Sequence, residues 1–485
     1  MFEKFKSVFI VGIKGVAMAN IALILKQMGV SVCGADSEDK FITDNLLIGN
    51  GISVFATFDP KVIPENTDLV LYAAAHNGSK NPQIITAKER GIKVMHQAEF
   101  IGELMKKFKK SIAVTGCHGK TTTSSLLAYA LSKLNKKPSY LVGAPTFNEH
   151  FGAAFAGDDL FVLEADEYGV EPPTDKTPKF DFFNPDYLIV TNIDFDHPDV
   201  YGSLEDTKKS FLRFMKKLNN EQSIIACADD EPLAEVLKSL LKEKYITYGF
   251  HKNADVKVFD IKSDANGISF KIKFNNKLKD SRLRGNDVID GFKISLFGEK
   301  NVLNATAVIA MLTKLGFTEE QIKDSLVGFH GAKRRLEQLA SIGDNVLFDD
   351  YAHHPAEIEA TISALKQRFK NKKIVVLFQP HTFSRTAILK ERFIEALSKA
   401  DTALILPVFA SAREQVSMTG IRSLDLMKLA KKKNIHTIYA YDSNKEAVET
   451  LRNLLSKNSV ICTMGAGDIY ELRDSIVKIL KAVEQ

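Results

Sequence analysis

The sequence has few cysteines, no long apolar run and only a small excess of positive charge. Its four cysteines show no C-x-x-C spacing, which excludes a disulfide framework and a cysteine zinc site and fits a reducing cytosol. No stretch approaches the roughly 18 apolar residues of a membrane span. The net charge is +5, from 65 basic and 60 acidic residues, too weak to attract nucleic acid or anionic lipid. We therefore expect a cytoplasmic protein with no nucleic-acid partner and no membrane insertion.

Length and composition predict a globular protein with several domains. At about 150 residues per domain, 485 residues correspond to about three domains. Hydrophobic residues make up 45% and charged residues 26%, which is typical of a folded chain. There is no short-period repeat and no low-complexity tract, and these features exclude fibrous and disordered classes.

Three segments of the chain begin in the same way, with a short apolar run, a turn and a helical pattern. Strands that alternate with helices form parallel sheets, so the sequence predicts an α/β protein. We expect a Rossmann-like N-terminal domain (residues 1–108), a central P-loop ATPase domain with a mainly parallel sheet (residues 109–331) and a Rossmann-like C-terminal domain (residues 332–485). Residues 254–297 alternate in polarity and predict a small antiparallel addition to the central domain.

The first of these turns has two other interpretations. The apolar stretch Val8–Ala19 ends in an A-x-A-like sequence, as a signal peptide does, but Lys14 interrupts it. Gly12 and Gly15 lie within the stretch at positions typical of a strand-to-helix turn. A nicotinamide-dependent dehydrogenase also begins with such a turn, yet that alternative leaves a second glycine loop unexplained.

That second loop, GCHGKTTT at residues 116–123, lies between an apolar strand and a helix. Its glycines allow backbone N–H groups to surround phosphate oxygens, and the helix N-terminus adds positive potential. Lys120 is expected to reach the β- and γ-phosphates, and Thr121 to offer its hydroxyl to Mg²⁺. The alternative is a plain glycine turn followed by a lysine. Cys117 and His118 are adjacent in a tight loop, which disfavours a nucleophilic thiolate pair.

Acidic side chains follow the next two predicted strands. Glu164–Glu167 (EADE) ends one strand, and Asn192–Asp199 (NIDFDHPD) follows the other. Carboxyl ends of parallel strands face the crevice where ligands bind, and Mg²⁺ takes carboxylate oxygens beside phosphates. The sequence therefore predicts a metal–nucleotide site at this edge.

Two further polar clusters follow strands of the predicted C-terminal domain. They are Asp349–Pro355 (DDYAHHP) and Phe378–Thr386 (FQPHTFSRT). The adjacent histidines in the first cluster lack the i, i+4 spacing of a helical zinc pair. Arg335 and Arg385 can each bind carboxylate or phosphate oxygens through paired N–H groups. For each arginine considered by itself, a surface salt bridge is the simpler interpretation.

In this order, these blocks resemble the motifs of the ATP-dependent Mur ligases of peptidoglycan synthesis. The family's T-G-x-H-G-K-T-T-T, E-A-D-E, N-I-x-x-D-H-x-D and G-x-x-N-x-x-N motifs correspond to Thr115–Thr123, Glu164–Glu167, Asn192–Asp199 and Gly298–Asn304. The two C-terminal clusters resemble the alanine-adding branch, and the resemblance extends from Gly12 to Gly467. It implies an ATP-dependent amide ligase that joins L-alanine to UDP-N-acetylmuramate through an acyl phosphate. A tripeptide-recycling ligase and a non-catalytic nucleotide-binding protein are the alternatives.

The resemblance also implies the role of each site residue. The residues implied to bind ATP are Gly116, Cys117, His118, Gly119, Lys120, Thr121, Thr122, Asn301, Asn304 and Asp350. Those implied to bind Mg²⁺ are Thr121, Glu164 and His197. The substrates are implied to contact Gly12, Lys14, Gly15, Asp36, Tyr351, His353 and Arg385. Catalytic roles are implied for Lys120, His197, Arg335, His353 and Arg385.

Three regions of the sequence depart from the family pattern. Lys14 and Ala17 stand where the first turn usually has glycines, so we expect Lys14 to add a charged contact to the pyrophosphate. Residues Tyr168–Lys179 form an insert after the EADE block, near the expected acceptor site. Phe211 stands where several Mur ligases carbamylate a lysine, so no carbamylation is predicted. The sequence predicts no particular oligomeric state.

Overall fold

The computed structural model describes residues 5–264, 266–275, 288–410, 414 and 420–484. The chain divides into two compact units. The first contains residues 1–262, 269–295 and 301–333, and the second contains residues 263–268, 296–300 and 334–485. Among the described residues, no helix is long and apolar enough to cross a membrane.

The N-terminal sheet has five parallel strands in the order β3-β2-β1-β4-β5. These strands are β1 (Ser7–Val11), β2 (Ser31–Ala35), β3 (Ser53–Phe55), β4 (Leu69–Tyr72) and β5 (Lys93–His96). The helices are α1 (Val16–Gln27), α2 (Asp44–Gly49), α3 (Pro82–Glu89) and α4 (Gln97–Met105). The strand order reverses beside β1, as in a Rossmann fold, so the predicted Rossmann-like N-terminal fold is confirmed.

The central sheet has ten strands in the order β17-β16-β15-β14-β13-β12-β6-β9-β7-β8. In chain order they are β6 (Lys110–Thr115), β7 (Ser139–Phe147), β8 (His150–Ala154), β9 (Leu160–Glu164), β12 (Tyr187–Val190), β13 (Ile224–Cys227), β14 (Tyr245–Gly249), β15 (Val256–Asp264), β16 (Gly267–Phe274) and β17 (Val288–Ile294). The pairs from β15 to β7 are parallel, and β7–β8 is antiparallel. A separate antiparallel hairpin consists of β10 (Gly169–Glu171) and β11 (Asp175–Pro178).

The helices of this part of the chain are α5 (Lys120–Lys133), α6 (Leu204–Lys216), α7 (Glu231–Leu237), α8 (Glu299–Lys314) and α9 (Glu319–Leu326). Strand β6 is hydrogen-bonded to β12 on one side and to β9 on the other. The carboxyl ends of these three strands therefore lie side by side. This arrangement brings together the glycine loop that begins at Gly116, called the phosphate loop below, and the two acidic blocks Glu164–Glu167 and Asn192–Asp199.

The N-terminal and central sheets belong to one unit because α1 packs on β7 and β8. The fully buried Asn20 of α1 donates from Nδ2 to the carbonyls of Val142 and Ala144, both at 3.0 Å. The backbone N–H of Phe155 donates to Gln27 Oε1 at 2.7 Å. The predicted domain boundary at residue 108 thus falls inside a packed unit, and it stays a prediction.

The C-terminal sheet has six strands in the order β18-β19-β23-β20-β21-β22, all parallel except the β18–β19 pair. These strands are β18 (Glu337–Ile342), β19 (Asn345–Asp350), β20 (Lys373–Phe378), β21 (Thr402–Ile405), β22 (Ile438–Ala440) and β23 (Ser459–Met464). The helices are α10 (Pro355–Arg368), α11 (Phe383–Leu397), α12 (Ser423–Lys432), α13 (Asn444–Leu454) and α14 (Arg473–Glu484). Strands β19 and β23 are buried throughout, as expected for central parallel strands.

Candidate active site

The glycine loop occupies the whole connection between β6 and α5. Gly116 and Gly119 have φ angles of +134° and +83°, which L side chains rarely adopt. A Cβ atom on Gly116 would lie 2.0 Å from Thr191 Oγ1, and one on Gly119 would lie 2.7 Å from Asn304 Oδ1. Both positions therefore require glycine, because of the backbone angle and because of the close approach of neighbouring side chains.

The segment that follows β12 holds this loop in place. The amide of Asn192 accepts from the His118 backbone N–H at 2.9 Å and donates to the His118 carbonyl at 2.8 Å. Cys117 Sγ donates to the Asp194 carbonyl at 3.2 Å and accepts from the Asp194 N–H at 3.1 Å. Burial raises the pKa of the Cys117 thiol well above its usual range, so the thiol stays protonated. Cys117 therefore supports the loop and is not a nucleophile.

Lys120, at the start of α5, forms a buried ion pair with Glu167. Its Nζ lies 2.7 Å from Glu167 Oε2 and donates to the Gly116 carbonyl at 2.7 Å. Burial opposes the lysine charge, but the nearby carboxylates outweigh burial and raise the pKa of Lys120. Burial likewise opposes ionisation of Glu167, but Lys120 and His197 lower its pKa. Both groups are therefore charged at neutral pH.

Oxygen atoms gather around Glu164 at the end of β9. The Thr121 hydroxyl donates to Glu164 Oε1 at 2.8 Å, and Ser124 Oγ donates to Oε2 at 3.2 Å. The Gly143 N–H donates to Oε2 at 2.6 Å. A carboxylate with two hydroxyl groups beside a phosphate loop is a suitable ligand set for Mg²⁺, which prefers oxygen ligands.

His197 belongs to a second acidic cluster. Its Nε2 lies 3.4 Å from Glu167 Oε1 and 3.6 Å from Asp196 Oδ2, so the three residues could hold one metal ion. The family resemblance groups His197 with Glu164, whereas these contacts group it with Glu167 and Asp196. Sequence reasoning did not select Glu167 and Asp196, although both lie inside the motifs at the ends of β9 and β12.

Two asparagines of α8 lie near the loop. Asn304 Nδ2 donates to Asn301 Oδ1 at 3.1 Å, and Asn304 Oδ1 lies beside Gly119. His118 Nε2 is 3.4 Å from Asp194 Oδ2 on the other side of the loop. Thr122 is buried in the first turn of α5. The structure thus places all the predicted ATP-site residues of the first unit around one loop.

The first turn of the N-terminal sheet places Lys14 differently from the expectation. Gly12 has a φ angle of +75°, and α1 begins just after Gly15. The Lys14 ammonium donates to the carbonyls of Ser37 at 2.9 Å and Asp39 at 2.7 Å. Its positive charge is therefore directed into the loop that follows β2, and its contact with a pyrophosphate stays a prediction.

Asp36, which directly follows β2, has two backbone donors and a histidine beside it. Its carboxylate accepts from the backbone N–H groups of Lys14 at 2.7 Å and Ser37 at 2.8 Å. His76 Nε2 lies 3.1 Å from Asp36 Oδ1. Sequence reasoning missed His76, which comes from the loop after β4 and carries no motif.

In the second unit, the Glu357 carboxylate lies beside two residues that the sequence selected, Arg335 and His353. Arg335 Nη1 lies 3.7 Å from Glu357 Oε1, and its guanidinium carbon lies 4.9 Å from the centre of the Tyr351 ring. His353 Nδ1 lies 3.4 Å from Glu357 Oε2 and 3.0 Å from the Tyr351 carbonyl. Sequence reasoning missed Glu357. Its spacing in the sequence is a signal for a helix cap: Glu357 is the third residue after His354, and together the two side chains cap the N-terminus of α10.

Asp350 is buried at the end of β19. Its carboxylate accepts from the N–H groups of Leu336 and Ala352 and from the Thr361 hydroxyl, at 2.8–3.1 Å. Burial raises the pKa of Asp350 to about 6, although Arg335 acts in the opposite direction. These bonds connect the start of β18 with α10, and the implied contact of Asp350 with ATP stays a prediction.

Arg334, which the sequence analysis did not select, is more enclosed than Arg335. Its Nε donates to Asp349 Oδ2 at 2.9 Å, and its Nη atoms donate to the carbonyls of Gly465 at 2.7 Å and Gly467 at 3.2 Å. Arg334 thus stabilises the edge of the sheet. The guanidinium carbons of Arg334 and Arg335 lie 5.3 Å and 4.9 Å from the centre of the Tyr351 ring, and Arg335 is the more exposed of the two.

Arg385 lies in the first turn of α11. Its Nη1 donates to the His381 carbonyl at 2.9 Å, and the rings of His381 and His353 are 6.2 Å apart. Glu414 accepts from the backbone N–H groups of Phe383 at 2.7 Å and Ser384 at 3.0 Å. The two motif clusters of the second unit therefore meet through His353 and His381.

Comparisons with known proteins agree with this arrangement. Successive sequence profiles match residues 7–109 (Mur ligase family, catalytic domain), 114–312 (Mur ligase middle domain) and 334–467 (Mur ligase, glutamate ligase domain). A UDP-N-acetylmuramate–L-alanine ligase of Caldicellulosiruptor saccharolyticus is 38% identical over 471 residues, which cover 97% of this chain and 98% of that protein.

Two solved structures are similar over nearly the whole chain. A UDP-N-acetylmuramate–alanine ligase from Thermotoga maritima has a TM-score of 0.76 and 25% identity, and the match covers 98% of this chain and 99% of that one. A murein peptide ligase from Psychrobacter arcticus shares the fold, with a TM-score of 0.73, 21% identity and the same coverage. From its profiles, its full-length relative and its fold, this chain belongs to the Mur ligase family.

Proposed function

We propose that the protein is an ATP-dependent ligase that joins L-alanine to UDP-N-acetylmuramate in peptidoglycan synthesis. The main support is the phosphate loop, in which Lys120 pairs with Glu167 and Thr121 binds Glu164. The full-length relative with 38% identity bears the name of this activity. Because the reaction consumes ATP and all four cysteines are unpaired, we place it in the cytoplasm.

The chemistry requires an activated carboxyl group. A carboxylate is a poor electrophile, so its oxygen first attacks the γ-phosphorus of ATP, forming an acyl phosphate and releasing ADP. The neutral amino group of L-alanine then attacks the acyl carbon and loses a proton. The tetrahedral intermediate collapses to the amide and expels phosphate. The net products are the amide, ADP and phosphate.

Residues of the first unit stabilise the phosphoryl group during transfer. The glycine-loop N–H groups and the charged Lys120 offset negative charge on its oxygens. We assign Mg²⁺ to the oxygens of Thr121 and Glu164, and a second ion to Glu167, Asp196 and His197. When bound, Mg²⁺ neutralises phosphate charge and aligns the reacting oxygens. Asn301, Asn304 and the loop residues from Gly116 to Thr122 hold the nucleotide.

Residues of the second unit bind the groups that are joined. Arg335 is placed to bind phosphoryl or carboxylate oxygens, because its guanidinium is partly exposed beside Tyr351. Arg385 holds the alanine carboxylate, and His353 and Tyr351 orient the acceptor. We assign the UDP-sugar to the first turn, at Gly12, Gly15 and the neighbouring loop that Lys14 and Asp36 stabilise.

An acceptor panel tests this assignment. The purified protein is supplied with UDP-N-acetylmuramate, ATP and Mg²⁺, together with L-alanine, glycine, L-serine or the L-Ala–D-Glu–diaminopimelate tripeptide. We expect L-alanine to give the highest kcat/KM, with glycine and L-serine slower by about 10- to 200-fold. Preference for the tripeptide would identify a recycling ligase instead. ATP binding without turnover of any acceptor would indicate a non-catalytic protein.

A further inference from the structure

The hairpin β10–β11 lies within the insert that the sequence analysis singled out, and it contacts the loop after β4. Glu171, at the end of β10, accepts from the Ser79 backbone N–H at 3.0 Å and from Ser79 Oγ at 2.9 Å, both at Oε1. A Cβ atom on Gly78 would lie 2.4 Å from the same oxygen. The backbone of the loop thus closely approaches the Glu171 carboxylate.

This loop has an unfavourable backbone conformation. His76, Asn77 and Gly78 have consecutive φ angles of +54°, +68° and +50°, in the left-handed region. Non-glycine residues are strained in that region, so the surroundings must hold them there. Glu171 supplies two hydrogen bonds at the residue that follows these three.

The loop in turn positions a side chain at the first glycine turn. His76 Nε2 lies 3.1 Å from Asp36 Oδ1, and its ring is 4.7 Å from that of Phe58. A Cβ atom on Gly12 would lie 3.3 Å from His76 Cδ2. His76 therefore lies directly against the turn to which the proposed function assigns the UDP-sugar.

The base of the hairpin is fixed beside His197. The Lys179 N–H donates to the Tyr168 carbonyl at 3.0 Å, and Lys179 Nζ lies 3.9 Å from the centre of the Tyr168 ring. That ring is 5.3 Å from the ring of His197. Glu171 is thus presented to the loop by a hairpin with an anchored base.

We propose that Glu171 is a positioning residue for UDP-N-acetylmuramate. Through Ser79 it holds the left-handed loop that keeps His76 against Asp36 and Gly12, so a residue of the central segment completes the sugar-nucleotide site of the N-terminal sheet. This proposal rests on the proposed function. It concerns substrate affinity and not the chemical step.

The test compares Glu171→Ala, Glu171→Gln and Ser79→Ala with the wild type in a steady-state assay of ADP release. Glu171→Ala raises the KM for UDP-N-acetylmuramate about tenfold, the change expected from losing charged hydrogen bonds. kcat and the KM values for ATP and L-alanine change little. Glu171→Gln retains an acceptor oxygen and stays close to wild type, and Ser79→Ala, which removes one bond, gives a smaller rise.

Lys176→Ala, an exposed position on the same hairpin, is the matched control and keeps wild-type constants. A merely structural role would lower kcat or raise all three KM values together, and either result overturns the proposal. A Glu171→Gln variant as impaired as Glu171→Ala also overturns it. If Glu171→Ala melts below the assay temperature, Ser79→Ala must still raise only the KM for UDP-N-acetylmuramate. Absence of wild-type ADP release with both substrates would refute the proposed function itself, whereas an unchanged KM in an active Glu171→Ala refutes only this inference.

Discussion

The molecule contains two strand–glycine–helix turns with a lysine, and they differ in where the lysine charge lies. In the first turn, Lys14 Nζ donates to the backbone carbonyls of Ser37 and Asp39 and lies 3.7 Å from the partly exposed Asp44 carboxylate. In the second, Lys120 Nζ forms an ion pair with the buried carboxylate of Glu167 and lies near Glu164. The same local pattern thus gives a lysine that stabilises a loop in the first turn and a lysine within a cluster of carboxylates in the second.

The difference comes from neighbouring strands and not from the turns themselves. Strands β9 and β12 flank β6; β9 ends in Glu164, and the segment that follows β12 contains Asp194 and Asp196. Beside β1, the acidic residue Asp36 directly follows β2, and its carboxylate is occupied by backbone N–H groups and lies beside His76. A glycine turn with a lysine therefore predicts a phosphate site reliably only when the adjacent strand ends supply ligands for a metal ion.

The largest expected effect is that of Lys120→Met. It removes the positive charge at the transferring phosphoryl group and should lower kcat/KM by about 10³-fold, as losses of transition-state charge stabilisation do. It also removes the lysine partner of the buried Glu167 carboxylate and leaves only His197 beside it, 3.4 Å away, which costs about 3–5 kcal/mol of folding free energy. Steady-state kinetics and denaturant unfolding measure the two effects.

The double variant Lys120→Met/Glu167→Gln separates charge from folding. Neutralising Glu167 should recover most of the lost stability but none of the activity. Recovery of activity in the double variant would contradict the role assigned to the lysine charge.

Gly119→Ala should have the next largest effect. Its Cβ must occupy a position with φ of +83° and lie 2.7 Å from Asn304 Oδ1. Backbone strain and overpacking together suggest about a 10²-fold rise in the KM for ATP. Gly12→Ala is the matched comparison, and it should raise the KM for UDP-N-acetylmuramate while leaving that for ATP unchanged. Equal effects of both variants on both substrates would remove the distinction between the turns.

Thr121→Val tests the metal assignment. It removes the hydroxyl that donates to Glu164 Oε1, and we expect the Mg²⁺ concentration for half-maximal activity to rise about tenfold. Thr123→Val is the control, because the buried Thr123 hydroxyl has no hydrogen-bond partner among the residues that the structure describes. An Mg²⁺ requirement that changes equally in both variants would argue against Thr121 as a ligand.

The smallest effect is expected for Lys14→Met. Loss of two hydrogen bonds to carbonyls should lower the free energy of unfolding by about 1–2 kcal/mol and raise the KM for UDP-N-acetylmuramate only a few-fold. Lys40→Met, at an exposed position of the same loop, should change neither quantity. A rise of about 10²-fold or more in that KM would show that Lys14 binds the pyrophosphate, as the sequence alone suggested.

Much of the fold could be predicted from local sequence. Strands β1 and β9 have the bounds that their apolar runs predict, since a glycine or an acidic residue ends each run. The β7–β8 pair and the β10–β11 hairpin were not predicted. Both pairings are between strands close in sequence, but the strands pack against α1 or the Gly78 loop, and those distant contacts leave no periodic pattern in the sequence.

The same limit applies to the site. The order of strands brings Lys120, Thr121 and Glu164 together, and that could be predicted because each follows a strand of one parallel sheet. The carboxylate that pairs with Lys120 could not be predicted, because Glu164 and Glu167 both lie at the carboxyl end of β9. Only the side-chain geometry shows that Lys120 pairs with Glu167 and Thr121 with Glu164. His76 comes from a segment without a motif, so only its contacts identify it. Glu357 has the spacing of a helix cap after His354, but its pairing with Arg335 appears only in the structure.

The most direct measurement of the central claim follows the carboxylate oxygen. UDP-N-acetylmuramate with ¹⁸O in its muramoyl carboxyl group is incubated with the wild-type protein, ATP, Mg²⁺ and L-alanine, and the phosphate released is analysed by mass spectrometry. If the carboxylate is activated as an acyl phosphate, each amide bond formed transfers one ¹⁸O atom to phosphate. Amide formation with unlabelled phosphate, or equal ADP release without UDP-N-acetylmuramate, would contradict the account.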